Sequence, residues 1–191
     1  MIDGKFALAQ PTLTMLPSYI AALSTGYSPD NIRGRVAAEE QLARIAADAA
    51  GFVAQMQDPE GSGPPVRLLD GTMVPRLPGL VRWMWDGEFA GSIGLRWQPG
   101  SSELPPYVLG HIGYSVVPWR RRRGYASRAL GLLLPMARTI GLRHVYLTAA
   151  PANAASQKII LANGGELIDR ITKPASLGGG ESLRFRIPLS D

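Results

Sequence analysis

Residues 110–127, GHIGYSVVPWRRRRGYAS, hold the side chains of this sequence best suited to chemistry. An alternating apolar run ends at Pro118. Arg120, Arg121, Arg122 and Arg123 follow in a row, and Gly124, Tyr125, Ala126 and Ser127 lead into a second apolar run. Guanidinium groups keep their charge and present a rigid fork of donors that matches phosphate oxygens. A helix beginning near Gly124 would add unpaired backbone N–H groups and a partial positive charge at the same place. Gly124 has no side chain to hold a ligand off, Ala126 is small, and Ser127 offers a hydroxyl on the first turn. Such convergent donors suit a pyrophosphate, whose two anionic groups are adjacent. A solvated arginine run would account for the charge alone. Strand, loop, glycine and helix in this order account for the charge and its position together.

Positioning this loop takes a strand before it and a helix after it, and the flanking sequence supplies both. Spacing predicts a strand over 108–117, a helix over 124–140, a strand over 145–149 and a helix over 153–162. Pro135 removes a backbone donor inside the first helix and presses on the Gly131 carbonyl, which predicts a kink well beyond the loop. Asn163-Gly164-Gly165 reads as a helix stop with glycine in the left-handed position. Upstream, 80–85 and 89–97 read as a hairpin turning at Asp86-Gly87, with Trp83, Trp85 and Trp97 in the core. Two closing strands, 166–171 and 183–189, flank the loop 173–181. The first part of the chain has a short strand at 5–8 and a helix at 17–23 with proline in its first turn. A longer helix is expected over 36–57, where Leu42, Ile45, Ala46, Ala49, Phe52, Val53 and Met56 recur at helical steps; turn residues 58–65 end it. The order predicts a single α/β (α+β) domain with a mixed, mostly antiparallel central sheet and helices on both faces. Residues 1–79 would form a helical pair with loops, and 80–191 the sheet core.

Composition narrows the function. A chain of 191 residues suits one domain, and 46% hydrophobic content can build a substantial core. No window reaches the roughly 18 uninterrupted apolar residues of a membrane span, and no basic head with an apolar segment marks a secretory signal. Cysteine is absent, which excludes disulfides, cysteine metal ligands and a cysteine acyl-enzyme. A cytoplasmic protein without membrane or metal is the expectation. The formal net charge of +5, largely from arginine, implies an anionic partner. The arginine run is short, and neighbouring aromatics lack the spacing of a base-stacking platform, so nucleic acid is not expected.

Arg121-Arg122-Arg123-Gly124-Tyr125-Ala126 matches the Q/R-x-x-G-x-G/A signature of the GNAT superfamily of N-acetyltransferases, and Asn153-Ala154-Ala155-Ser156 stands where a second family feature is expected. From about residue 80 onward the element order resembles that family, in particular a bacterial subgroup of predicted acetyltransferases. The resemblance implies acetyl-CoA as cosubstrate. Arg121, Arg122, Arg123, Gly124, Tyr125, Ala126 and Ser127 would hold its pyrophosphate. Val116 and Val117 would offer backbone groups to the pantetheine arm and acetyl carbonyl, on a strand that splays from its neighbour. Asn153 and Ser156 would line the far side of the channel, although Asn153 also suits a plain N-cap.

The family's usual tyrosine, proposed to protonate the departing thiolate, falls at Ile160, so that acid is missing. Without cysteine, direct attack by a primary amine of a small molecule or peptide in a ternary complex is favoured. Two residues are candidates for the proton acceptor. His111 precedes Pro118 on the cofactor strand, roughly 16 to 20 Å before the loop, and histidine titrates near neutrality; the alternative is a strand histidine bonded to a neighbour. Glu88 at the hairpin start is the second candidate, or else a solvated turn residue. His111 and Tyr114 should face opposite sides. Loops 71–79, 98–106 and 173–181 would frame the acceptor pocket, with Asp70, Glu103 and Glu181 available to attract a cationic amine. A homodimer is compatible with this reading. A non-catalytic acyl-CoA-binding or sensor domain is the competing one.

Overall fold

A computed structural model describes residues 6–189. Its first strand, β1 (Ala7–Ala9), overlaps the expected one, whose Lys5 lies outside the described residues. Helix α1 (Leu16–Ser24) has Pro17 in its first turn and buries Leu16, Tyr19, Ala22 and Leu23 at helical spacing. The long helix expected next is two helices, α2 (Arg35–Ala47) and α3 (Ala49–Ala54). Asp48 breaks them apart, with φ −154° and ψ 87°, and its carboxylate accepts the Gly51 N–H at 2.8 Å as the N-cap of α3. The apolar stripe runs through the break, which is why periodicity alone hides it.

A short β2 (Gln57–Asp58) and a small hairpin, β3 (Val66–Arg67) and β4 (Met73–Val74), precede the main strands. β5 (Gly79–Trp85) and β6 (Phe89–Arg96) form the expected hairpin. Trp85 pairs with Phe89, so three residues turn the chain, with a register shift beside Trp85 and Gly87 at φ 105°. β7 (Ile112–Val116) is shorter than expected, because Val108 turns back to hydrogen-bond the Pro105 carbonyl. Then come α4 (Tyr125–Thr139), β8 (His144–Ala149), α5 (Ala154–Ala162), β9 (Glu166–Thr172) and β10 (Glu181–Pro188). Pro135 lies inside α4, which continues through it to Thr139.

The strands form one sheet in the order β1-β5-β6-β7, with β2 also on β5, and another in the order β8-β10-β9. All these pairings are antiparallel. Cores lie on both sides. One packs Ile93, Leu95 and Ile112 with Ala129, Leu130 and Leu133 of α4 and with Val145, Leu147 and Phe185 of the second sheet. The other packs Trp83, Phe89 and Val117 against Tyr19, Leu23, Tyr27 and Phe52 of the N-terminal helices, Tyr19 stacking on Trp83 at 4.7 Å. Trp83 and Trp97 are buried, and Trp85 packs against the second core. The mixed α/β architecture with antiparallel strands and helices on both faces is therefore as the sequence predicts, with the expected central sheet present as two antiparallel sheets.

Candidate functional site

Strands β7 and β8 flank α4 in sequence but do not pair as a ladder. Their backbones meet at the start of β7, where the His111 N–H donates to the Tyr146 carbonyl at 2.7 Å. The Tyr146 N–H in turn donates to His111 Nδ1 at 2.9 Å. Beyond this junction the two strands belong to separate sheets. On its other edge β7 is held by β6: the Val117 N–H reaches the Ala90 carbonyl at 3.0 Å, and the Arg96 N–H reaches the His111 carbonyl at 2.9 Å. Antiparallel alternation then directs the backbone groups of Ile112, Tyr114 and Val116 away from β6 and into the opening. Val117 spends its amide on the ladder. The Val116 carbonyl accepts from Arg121 Nε at 3.2 Å, while its amide faces the opening.

At the end of β7 away from this junction lies the arginine loop. Gly124 begins α4 from the left-handed region at φ 84°, with no side-chain cap on the helix. Arg122, at φ 58°, is the non-glycine residue of positive φ among the described residues. Successive amides turned inward through such conformations form an anion-binding concavity. The first intrahelical bond runs from Arg128 N–H to the Gly124 carbonyl at 3.0 Å, leaving the amides of Tyr125, Ala126 and Ser127 for an outside acceptor. Arg121, Arg122 and Arg123 are exposed and make no ion pair among the described residues. Arg120 is a strut instead. Its guanidinium donates to Asp86 Oδ2 at 2.8 Å and Glu88 Oε2 at 3.3 Å, and the Tyr125 hydroxyl also donates to Asp86. This cluster fixes the loop against the β5–β6 turn. The uncapped helix end, its unbonded first-turn amides and three exposed guanidiniums without an ion pair fit a pyrophosphate.

The two candidate proton acceptors lie near opposite ends of β7. His111 is fully buried; Nδ1 is occupied by the Tyr146 amide, and Nε2 is sealed with no hydrogen-bond partner among the described residues. Burial first, then His144 and Arg96, pushes its pKa down to about 4. Glu88 is exposed and paired with Arg120 at the arginine-loop end of β7, beside Phe89, while His111 is at the other end. His111 and Tyr114 do face opposite sides. Tyr114 packs against the α4 core and crosses to α5, where its hydroxyl lies 2.8 Å from Ser156 Oγ. Asn153 caps α5 by accepting the Ser156 N–H at 3.0 Å. Ile160 is buried in the core. Ser127 Oγ accepts from Asn163 Nδ2 at 3.2 Å, and Gly164 at φ 81° ends α5 as a left-handed stop.

A cleft of about 360 Å³ opens on the sheet near the start of β7. Gly94, Leu95 and Arg96 form part of its wall, and they pair with or neighbour Gly113, Ile112 and His111. Val74, Leu77 and Leu177 contribute apolar surface, so two of the three expected loops frame it. Loop 98–106 does not. Gly100, Ser101, Ser102 and Glu103 line a separate hollow with Arg143, and only the following Tyr107 and Val108 reach the cleft. Asp70, Glu103 and Glu181 are absent from its wall; they bond Thr72, the His144–Tyr146 pair and Arg170, respectively. Sequence reasoning missed Arg96, because a charge at a strand end reads as ordinary solvent exposure. It also missed Tyr27, whose hydroxyl bonds Ser92 Oγ at 2.8 Å and Ser115 Oγ at 2.7 Å, tying the α1–α2 connection to β6 and β7. No periodic signal surrounds Tyr27.

The family description "Acetyltransferase (GNAT) domain" matches residues 39–166. No curated protein matches the chain in sequence. Among solved structures, it is similar to the ribosomal L7/L12 alpha-N-protein acetyltransferase RimL in complex with coenzyme A, with 14% identity and a TM-score of 0.66 over 100% of this chain and 98% of that one. The acetyl transferase from Salmonella typhimurium that modifies the N-terminal serine of L7/L12 gives 13% identity and a TM-score of 0.64 over 100% and 98%. The microcin C7 self-immunity acetyltransferase MccE, in complex with acetyl-CoA and AMP, gives 11% and 0.62 over 98% and 94%.

Proposed function

Because this chain belongs to the GNAT family of acetyltransferases, we propose that it transfers an acetyl group from acetyl-CoA to a primary amine of a small molecule or peptide, by direct attack in a ternary complex. The observation that carries the reading is the opening between β7 and β8, with an uncapped, arginine-flanked helix end at its mouth. Arg121, Arg122, Arg123 and the amides of Gly124 to Ser127 hold the pyrophosphate. Bound acetyl-CoA supplies the activated acyl group. The Tyr114 and Val116 amides, turned into the opening, orient the pantetheine arm and donate to the acetyl oxygen, where preorganised donors stabilise developing negative charge. Tyr114 Oη and Ser156 Oγ hold a proton between β7 and α5, and they take the part of acid that Ile160 cannot. His111 locks the junction of the two strands, and water in the cleft carries away the proton of the amine.

The test is coenzyme A release from acetyl-CoA across a panel of primary amines and short peptides. Release that depends on the amine, with acetylated product identified by mass, is the expected result. Tight acetyl-CoA binding with no amine-dependent release would reject transferase activity.

A further inference from the structure

The charge of the cleft resolves onto one residue. Asp58 and Arg76 both line it, and both are committed. Asp58 accepts from the Ser62 amide at 2.8 Å, the Ser62 hydroxyl at 3.1 Å and the Gly63 amide at 3.0 Å. Those amides and Arg76 together hold its carboxyl below the usual range. Arg76 donates from Nε to the Pro64 carbonyl at 2.8 Å. Arg76 also faces the Asp58 charge, whereas Arg96 makes no ion pair among the described residues and has no carboxylate beside it in the cleft wall. It remains accessible within the concavity, yet the atoms around it push its pKa below the ordinary guanidinium value.

Its position matters as much as its charge. The guanidinium lies over Gly113 of β7, where a side chain would begin 3.6 Å from Nη2. Glycine there leaves room on the cofactor strand for both the arginine and a ligand. Arg96 shares this face with Gly113 and Ser115, opposite to Tyr114 and the α4 core. An accessible guanidinium with no ion pair, set in a concavity, offers its fork of donors to a carboxylate. A cationic acceptor would be repelled.

We propose that Arg96 is a specificity-determining residue that binds a carboxylate of the acceptor, so that the substrate is an amine also carrying a carboxylate. That group is either the α-carboxylate of an amino acid or an acidic side chain near a peptide N-terminus. The proposal rests on the cleft being the acceptor site of an acetyltransferase.

The experiment compares isosteric pairs: free amino acids against their amides, and tripeptide amides with Asp against Asn, or Glu against Gln, at the second residue. Acetylation is measured as kcat/KM for the wild type, Arg96→Gln and Arg96→Lys, with acetyl-CoA affinity followed by calorimetry. The wild type should favour the carboxylate member by about 10-fold or more, and Arg96→Gln should bring the ratio within about 2-fold, chiefly through KM. Arg96→Lys should restore part of the preference, and acetyl-CoA affinity should hold in both variants. The pair that shows the effect tells an α-carboxylate from an acidic side chain. Equal rates within every wild-type pair, or a preference that survives Arg96→Gln, overturns the proposal. If acetyl-CoA binds but no amine is acetylated, the transferase reading fails separately. The same pairs titrated into protein holding acetyl-CoA then decide Arg96: carboxylate-dependent binding lost in Arg96→Gln supports it, and its absence overturns it.

Discussion

Protonating His111 would turn its Nδ1 from an acceptor into a donor facing the Tyr146 amide, inside a sealed site near Arg96 and His144. Burial first, then the charges of His144 and Arg96, make the folded protein resist that charge, and the pKa falls to about 4 from 6.5. Between those values the unfolded chain binds more protons than the folded one, so stability rises with pH. The contribution is fully present above about 6.5 and is lost as pH falls through about 4; its size is about 3 kcal/mol. His144, also lowered chiefly by burial, adds with the same sign. The melting temperature should thus fall on acidification across this window. His111→Asn, which can still offer an oxygen to the Tyr146 amide, should show a shallower fall. Parallel curves for the two proteins would mean that His111 does not carry the acid sensitivity.

At the scale of elements, the sequence made the arginine loop and its helix start legible and left the cleft near the start of β7 dark. Arginines, a glycine and a helix start are local in the chain, so residues 121–127 disclose their arrangement directly. Parity along β7 is local too, and it correctly separates His111 from Tyr114. The break at Asp48, the Tyr27 tether and the bridge from Tyr114 to Ser156 depend on contacts between distant segments. No spacing rule encodes them. Burial is equally non-local: His111 reads as a titratable strand residue until β8 closes over it. The joint between β7 and α4 gives a second prediction. Gly124 enters the helix at φ 84°, a conformation that costs other residues roughly 1–2 kcal/mol. Gly124→Ala should lower the melting temperature modestly and weaken acetyl-CoA binding by about 10-fold or more, since the new methyl also intrudes on the phosphate cradle. Calorimetry on the folded variant that finds wild-type affinity would remove this helix end from the cofactor site.

Taken as a whole, the molecule is two sheets that share a core and are joined at the His111–Tyr146 junction by one backbone hydrogen bond and one from the Tyr146 amide to the His111 imidazole. Helices α4 and α5 pack against them, and α5 adds the Ser156 contact with β7. No helix among the described residues is long and apolar enough to cross a membrane. A ligand lying along the opening would touch elements of both halves: the loop and β7 on one side, α5 on the other. It would hold the sheets together as well as bind them, and it has no comparable site in the unfolded chain. Acetyl-CoA at 100 times its dissociation constant should therefore stabilise the fold by about 2.7 kcal/mol, raising the melting temperature by roughly 5 to 10 °C. The shift should grow with the logarithm of ligand concentration above saturation, as mass action requires. Adenosine alone, which lacks the pyrophosphate and the pantetheine arm, should give little. A scan in which saturating acetyl-CoA leaves the melting temperature unmoved, with no heat of binding, would show that the opening between β7 and β8 does not hold this cosubstrate.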